Sequence, residues 1–264
     1  MVLSAVPVFA RGRHLFFVEK AGWRVAPRHD GKVKIPEIRE QVCAANQALV
    51  PADLVKLTWG NVSGMDRASG LWCIKPSGVD YADLTPADMV VLDLEGQVVE
   101  GTLRPSSDTL THLHLYREFD RIGGITHTHS PYATSFAQAC RELPCFGTTH
   151  ADHFCGTVPL VRALTPEEVE AGYEHHTGVA IGECLRGLGL DPLEMPAVLQ
   201  AHHAPFTFGH DAMDSVKNSI ALEMCARMAL HALQLTPALG SMPGHLLEKH
   251  HQRKHGPAAY YGQK

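Results

Sequence analysis

The most informative segment of the chain reads Gly123-Gly124-Ile125-Thr126-His127-Thr128-His129-Ser130, and a proline follows it. Its β-branched residues predict a strand over residues 122–129, and the Ser-Pro pair predicts the start of a helix. Side chains two positions apart on a strand point to the same face, so His127 and His129 together could bind one metal ion. Two unrelated histidines at a strand end are the alternative, because such a pair alone is not diagnostic.

Helices and strands alternate on both sides of this segment, without an internal repeat. Periodicity and capping signals predict further helices over residues 36–49, 108–119, 166–186, 211–233 and 245–254. Apolar runs predict strands over residues 55–59, 71–75, 89–94, 97–99, 197–200 and 206–208. This order indicates an α/β fold with three layers. Residues 34–264 form one predicted domain, and residues 1–33 are a poorly ordered extension or a translated upstream region.

The composition excludes several classes of protein. Hydrophobic residues make up 45% of the 264 residues and charged residues 19%, which excludes a wholly disordered chain. The net charge of −5 argues against a nucleic-acid partner. Because no apolar run approaches about 18 residues, we expect no membrane partner. The seven cysteines are odd in number and scattered, which favours reduced thiols in a cytoplasmic protein.

Other residues are candidates for the same chemistry. Asp108 and His203 are candidates for further metal ligands, with His202 as a rival to its neighbour. Three small polar turns, at residues 59–63, 75–78 and 105–107, allow backbone N–H groups to approach a phosphate, although each alone is more typical of an ordinary turn. Lys75 adds a positive charge to the second turn. Asp152 is either an acid/base group or a helix cap.

Taken together, these motifs match the pattern of a known protein family. The chain over about residues 34–263 resembles the class II aldolase/adducin-like family, and within it the sugar-phosphate 4-epimerases. The matching stretches are Leu57-Thr58-Trp59-Gly60-Asn61-Val62-Ser63, Ile74-Lys75-Pro76-Ser77-Gly78-Val79-Asp80-Tyr81, Arg104-Pro105-Ser106-Ser107-Asp108-Thr109, residues 123–130, Gly147-Thr148-Thr149-His150-Ala151-Asp152 and the tail from Lys254-His255-Gly256 to Tyr260-Tyr261-Gly262-Gln263. The resemblance implies a three-layer α/β/α sandwich around a largely antiparallel sheet.

The resemblance also implies a role for individual residues. It implies that Asp108, His127, His129 and His203 bind Zn²⁺, or another divalent ion such as Mn²⁺ or Co²⁺. It implies that Asp152 and Tyr261 are the catalytic acid/base pair, contributed from a neighbouring subunit of a cyclic homotetramer. The predicted substrate-binding residues are Gly60, Asn61, Lys75, Ser77, Gly78, Ser106, Ser107, Thr148, Glu174, His250 and Arg253. Ala201-His202 and Ala204 depart from the family pattern around His203.

The implied activity is the interconversion of L-ribulose 5-phosphate and D-xylulose 5-phosphate through metal-assisted cleavage and re-formation of the carbon 3–carbon 4 bond. The substrate would come from the breakdown of L-arabinose, L-ascorbate or L-xylulose. One alternative is a class II sugar-phosphate aldolase, which characteristically has a longer Glu at the position of Asp108. Another is a non-catalytic adducin-like interaction module, against which the intact His/Asp set argues.

Overall fold

The computed structural model describes residues 35–256 and 259–260, so the predicted extension over residues 1–33 and the predicted catalytic Tyr261 lie outside the described residues. The helices are α1 (Pro36–Ala48), α2 (Thr109–Glu118), α3 (Pro131–Gln138), α4 (Thr148–Ala151), α5 (Pro166–Leu188), α6 (Ala212–Leu235) and α7 (Gly244–His255). The strands are β1 (Asn61–Asp66), β2 (Leu71–Ile74), β3 (Val90–Asp93), β4 (Val98–Glu100), β5 (Gly124–His127), β6 (Leu160–Val161), β7 (Ala197–Gln200) and β8 (Pro205–Gly209).

The eight strands form one sheet in the order β4-β3-β2-β1-β5-β8-β7-β6. The pair β6–β7 is parallel, and the other six neighbouring pairs are antiparallel. The predicted α/β class with a largely antiparallel sheet is therefore confirmed.

Successive side chains of β2 face opposite sides of the sheet. Trp72 and Ile74 belong to one buried cluster, which includes Ile181 of α5. Cys73 belongs to a second cluster, which includes Val42 of α1. Because the sheet is apolar on both faces, helices must cover both of them. This arrangement produces the three predicted layers.

One predicted strand is wrong. Residues 55–59 form no strand: Leu57 and Thr58 lie in a turn, in which Leu57 has a φ of 53° and the Trp59 N–H donates to the Lys56 carbonyl. The strand begins two residues later, where Asn61 pairs with His127 of β5. Residues 59–63, interpreted as a polar turn, thus contain the start of a central strand. The partner is far away in sequence, so local composition could not show this pairing.

The starts of α5 and α2 differ in their capping. Thr165 and Glu168 form the predicted capping box of α5, and the left-handed Gly189 (φ 64°) ends that helix. Asp108 occupies the cap position of α2, but its side chain makes no capping hydrogen bond. This helix therefore begins after Asp108 without a side-chain cap from that residue. No helix in the described part of the chain is both long enough and apolar enough to cross a membrane.

The strand register brings the candidate residues together at one edge of the sheet, namely the edge at which β1 and β8 begin and β5 ends. Asn61 at the start of β1 lies opposite His127 at the end of β5, and His127 lies opposite Phe206 of β8. The loop after β2 leaves the sheet at the same edge, because Ile74 pairs with Ser63. The turn between β7 and β8 also lies at this edge. Four segments distant in sequence therefore meet at this edge.

Candidate metal centre and active site

Three histidines form a cluster at this edge. His127, His129 and His203 each offer a ring nitrogen, and these atoms lie within 4.8 Å of one another. The ring centroids are 4.8–5.0 Å apart. His127 is the last residue of β5, whereas His129 lies just after it, so the predicted strand was two residues too long at this end. The two rings converge nevertheless.

The turn between β7 and β8 selects the third histidine. His202 has a φ of 61° and its ring lies against the Sγ atom of Cys140, 3.3 Å from Nε2. His203 instead contacts His127 and His129. Neither residue lies on a strand, so strand alternation does not decide which of the two faces the cluster. The turn conformation brings His203, and not His202, into the cluster.

Burial keeps these imidazoles neutral. Burial, together with the neighbouring histidines of the cluster, lowers the pKa of His127 and of His203 to about 3. Burial also lowers the pKa of His129, which the Asp108 carboxylate partly offsets. Neutral imidazole is the form that ligates a metal ion.

A hydrogen bond and a stacking contact fix the orientation of the His127 ring. Nδ1 of His127 lies 2.9 Å from the Pro205 carbonyl oxygen, which can only accept, so Nδ1 carries the proton and Nε2 has a free lone pair. The ring also stacks on Phe206, with centroids 4.2 Å apart and planes at 19°. The strand pairing β5–β8 therefore orients this candidate ligand.

Asp108 lies beside the three imidazoles in the same cavity. Its Oδ2 accepts from Nδ2 of Asn61 at 2.7 Å, and the same amide donates to the Ser106 hydroxyl at 3.0 Å. Its carboxylate also raises the pKa of His129 and of His203, which reflects its proximity to them. Because the carboxylate does not cap α2, it remains available on the cavity side.

The three polar turns line the cavity together. The Ser77 N–H donates to the Arg104 carbonyl at 2.9 Å, and the Ser106 N–H donates to the Lys75 carbonyl at 3.0 Å. Gly60 has a φ of 80°, and a Cβ atom there would approach the His127 carbonyl oxygen to 2.8 Å. Glycine is therefore required where the first turn passes the histidine cluster.

Lys75 is buried, with 1% of its surface exposed. Its ammonium donates to the Val79 carbonyl at 2.8 Å, and burial lowers its pKa to about 8. The cavity has a volume of about 540 Å³. Its lining includes the predicted residues Gly60, Asn61, Lys75, Ser77, Gly78, Ser106, Ser107, Asp108, His127, His129, Glu174 and His203.

Four predicted residues lie elsewhere in the chain. Thr148 is the first residue of α4, Asp152 directly follows that helix, and His250 and Arg253 are on α7; none of them lines this cavity. Arg253 donates from Nε and NH2 to the Asp152 carboxylate at 2.9 and 2.6 Å, and Nδ1 of His250 lies 3.2 Å from it. Burial acts to raise the pKa of Asp152, but these partners outweigh it and lower the pKa. Thr148 lines a second hollow, of about 290 Å³.

Comparison with known proteins identifies the family of this chain. A family model described as "Class II Aldolase and Adducin N-terminal domain" matches residues 40–230. The chain belongs to this family. Within the class II aldolase family, the chain is 50% identical over 228 residues to L-ribulose-5-phosphate 4-epimerase UlaF of Salmonella paratyphi B, covering 86% of this chain and 99% of that protein.

Solved structures share the fold of this chain. An L-fuculose 1-phosphate aldolase is 27% identical, with a TM-score of 0.69, over 82% of this chain and 95% of that one. YgbL of Klebsiella pneumoniae, described as a putative aldolase/epimerase/decarboxylase, is 21% identical, with a TM-score of 0.66, over 83% and 99% of the two chains. The second likeness concerns the fold alone.

Sequence reasoning missed four residues of this class II aldolase family site: Thr58, Trp59, Pro76 and Tyr173. Trp59 and Tyr173 both line the cavity and are both exposed, at 55% and 36%. The signal for Tyr173 was present, because Gly172 before it interrupts a helical pattern. In the structure, Gly172 has a φ of 153° and breaks α5 at this point.

Proposed function

We propose that this class II aldolase family member is an L-ribulose-5-phosphate 4-epimerase, which interconverts L-ribulose 5-phosphate and D-xylulose 5-phosphate. The observation that carries the proposal is one cavity that joins three neutral imidazoles and Asp108 to three turns rich in Gly and Ser. The curated relative with that name, 50% identical over nearly its whole length, supports the choice of substrate.

The donor set fits a divalent metal ion. Three neutral ring nitrogens within 4.8 Å of one another, with a carboxylate alongside, are ligands that Zn²⁺, Mn²⁺ and Co²⁺ accept. His127, His129, His203 and Asp108 would hold the ion, with Zn²⁺ as the first choice. When bound, such an ion polarises the carbonyl and adjacent hydroxyl oxygens of the sugar.

The phosphate would lie against the polar turns. Gly60, Gly78 and Ser107 offer backbone N–H groups, Ser77, Ser106 and Ser107 offer hydroxyls, and the Lys75 ammonium supplies a positive charge. Cleavage of the carbon 3–carbon 4 bond leaves a two-carbon fragment, glycolaldehyde phosphate. The phosphate anchor keeps that aldehyde in place while it rotates, so that the bond re-forms on its other face.

Inversion needs a proton-transfer group on each face of carbon 4, and we assign these roles to Asp152 and Tyr261 of a neighbouring subunit. Asp152 lies outside the cavity of its own chain, which fits a contribution to another copy. Its paired Arg253 and His250 keep it ionised, so that it can accept the proton of the carbon 4 hydroxyl. Thr148, His250 and Arg253 would then contact substrate in that neighbouring site, and a cyclic homotetramer is the proposed assembly.

The proposal extends to the organisation of the chain. Residues 34–264 would be the catalytic domain, residues 1–33 an extension without a catalytic role, and the protein cytoplasmic. All seven cysteines are free thiols in the structure, which is compatible with a reducing compartment.

A sugar-phosphate aldolase is the second candidate, because an L-fuculose 1-phosphate aldolase shares the fold at a TM-score of 0.69. Asp108 favours the epimerase, since the family's aldolases characteristically have the longer Glu there. The product decides between the two. With L-ribulose 5-phosphate, an epimerase forms D-xylulose 5-phosphate without free fragments, whereas an aldolase releases an aldehyde.

Adjacent histidines provide a matched test of the metal centre. His203→Asn should remove bound metal and activity together, whereas His202→Asn should keep both, because His202 lies outside the cluster and Asn tolerates its left-handed backbone. The assay is the conversion of L-ribulose 5-phosphate, combined with metal analysis of each purified variant. Full turnover by the metal-free His203→Asn protein would refute the proposed mechanism.

A further inference from the structure

Tyr173 of α5 contacts His203, a candidate metal ligand. Its hydroxyl oxygen lies 3.2 Å from Nδ1 of His203, and the two ring centroids are 5.9 Å apart. We infer that Tyr173 is a positioning residue, whose hydroxyl accepts a hydrogen bond from Nδ1–H of His203 and thereby presents Nε2 to the metal. This inference rests on the proposed metal centre.

The direction of the hydrogen bond follows from imidazole chemistry. A neutral ring carries one N–H, and the nitrogen that ligates a metal must be the other one. With Nδ1 facing the phenol, Nε2 is left as the ligating atom, so Nδ1 carries the proton and the phenol oxygen accepts it. The opposite direction would place the proton on Nε2 and prevent ligation. His127 shows the same arrangement, with the Pro205 carbonyl as the acceptor.

The backbone of α5 is built to hold Tyr173 in this place. The helix breaks at Gly172, whose φ of 153° is a conformation that L side chains rarely adopt. The Thr177 hydroxyl donates to the Tyr173 carbonyl at 2.9 Å. The buried Thr111 hydroxyl of α2 donates to the Glu174 carbonyl at 2.6 Å. The break thus turns Tyr173 towards the cavity, and side-chain hydrogen bonds fix its backbone.

Close packing of α5 on α2 adds to this constraint. A Cβ atom at Gly178 would approach the His114 Cβ to 2.8 Å and the Thr111 carbonyl oxygen to 3.0 Å. The two helices therefore approach so closely that α5 has little freedom to slide. Since Asp108 precedes α2, one packed pair of helices supports both the carboxylate and the phenol of the site.

The test measures Zn²⁺ binding to the full-length, metal-free protein in competition with a chromophoric chelator. Tyr173→Phe removes only the hydroxyl, and we expect the Zn²⁺ dissociation constant to rise about 10–100-fold, the usual effect of losing such a partner. The Co²⁺-loaded variant should have an altered visible absorption spectrum. Tyr132→Phe, a tyrosine on α3 outside the cavity, is the control and should match the wild type in both.

A measurement on the wild type makes the test independent of any folding defect. In the Zn²⁺-loaded protein, nitrogen-15 chemical shifts should show a protonated Nδ1 and a ligating Nε2 for His203. A ligating Nδ1, or a Tyr173→Phe protein that keeps the wild-type dissociation constant and Co²⁺ spectrum, would overturn the inference alone. The proposed metal centre would be overturned as well if the wild type bound no Zn²⁺, or if His203→Asn bound Zn²⁺ as tightly as the wild type.

Discussion

The metal-free protein should lose stability steeply in mild acid, because it buries neutral histidines. Burial lowers the pKa of the wholly buried His112 to about 3, and that of the nearly buried His127 to the same value. In the unfolded chain, histidine titrates near 6.5. The unfolded state therefore binds more protons between pH 6.5 and 3, and stability falls as the pH drops through this window.

The magnitude follows from the difference in proton binding. Between pH 7 and pH 5, each histidine that stays neutral in the fold costs about 2 kcal/mol of unfolding free energy. His112 and His127 together cost about 4 kcal/mol, a large part of the roughly 5–15 kcal/mol that stabilises an ordinary domain. The lowered pKa of Asp152 costs stability only as the pH falls below about 5, outside the interval between pH 7 and pH 5.

The variant His112→Gln isolates one of these contributions. His112 is not a proposed metal ligand; its Nδ1 lies 2.7 Å from the Ser63 hydroxyl. Urea unfolding of the metal-free proteins at pH 7 and pH 5 should show a loss about 2 kcal/mol smaller for His112→Gln than for the wild type. His231→Gln, at an exposed position, is the control and should keep the wild-type loss. Equal losses in wild type and His112→Gln would refute the reasoning.

Further predictions concern catalysis and assembly. Chelation should abolish activity, Zn²⁺, Mn²⁺ or Co²⁺ should restore it, and His129→Asn should lose metal and turnover together in a metal analysis. Asp152→Asn should lower turnover by roughly 10²–10⁴ with metal retained, and metal loss in that variant would contradict a role confined to proton transfer. Co-expressed His129→Asn and Tyr261→Phe chains should regain activity in mixed oligomers, and mixed oligomers as inactive as either parent would exclude a shared site. Deletion of residues 1–33 should leave the melting temperature and turnover nearly unchanged; a large loss of either would show that the extension packs on the catalytic domain.

Much of the fold could be predicted because its signals are local. The capping box at Thr165 and the proline at the start of α1 depend only on neighbouring residues, and both helices begin where predicted. Glu95-Gly96 predicts the β3–β4 hairpin, and Gly96 indeed has a φ of 84°. Such signals fix φ, ψ and nearby hydrogen bonds, so they act whatever the rest of the chain does.

The prediction of β1 failed because its signal is not local. Asn61 and Ser63 are polar residues next to glycine, which is typical of a turn. They become strand residues because β2 and β5 flank them and satisfy their backbone groups. Their polar side chains are tolerated inside because Asn61 bonds Ser106 and Asp108, and Ser63 bonds His112.

By itself, the sequence determined the secondary structure of most segments and the residue types available for chemistry. The family pattern further pointed to His127, His129 and His203 as one metal site. Only the tertiary structure decided which atoms meet: the ring nitrogens of the three histidines, an Asp108 carboxylate bound by Asn61 instead of capping α2, and the Tyr173 hydroxyl beside Nδ1 of His203. The physical reason is that side-chain direction depends on strand register, turn conformation and helix packing, which arise from contacts between segments far apart in the chain.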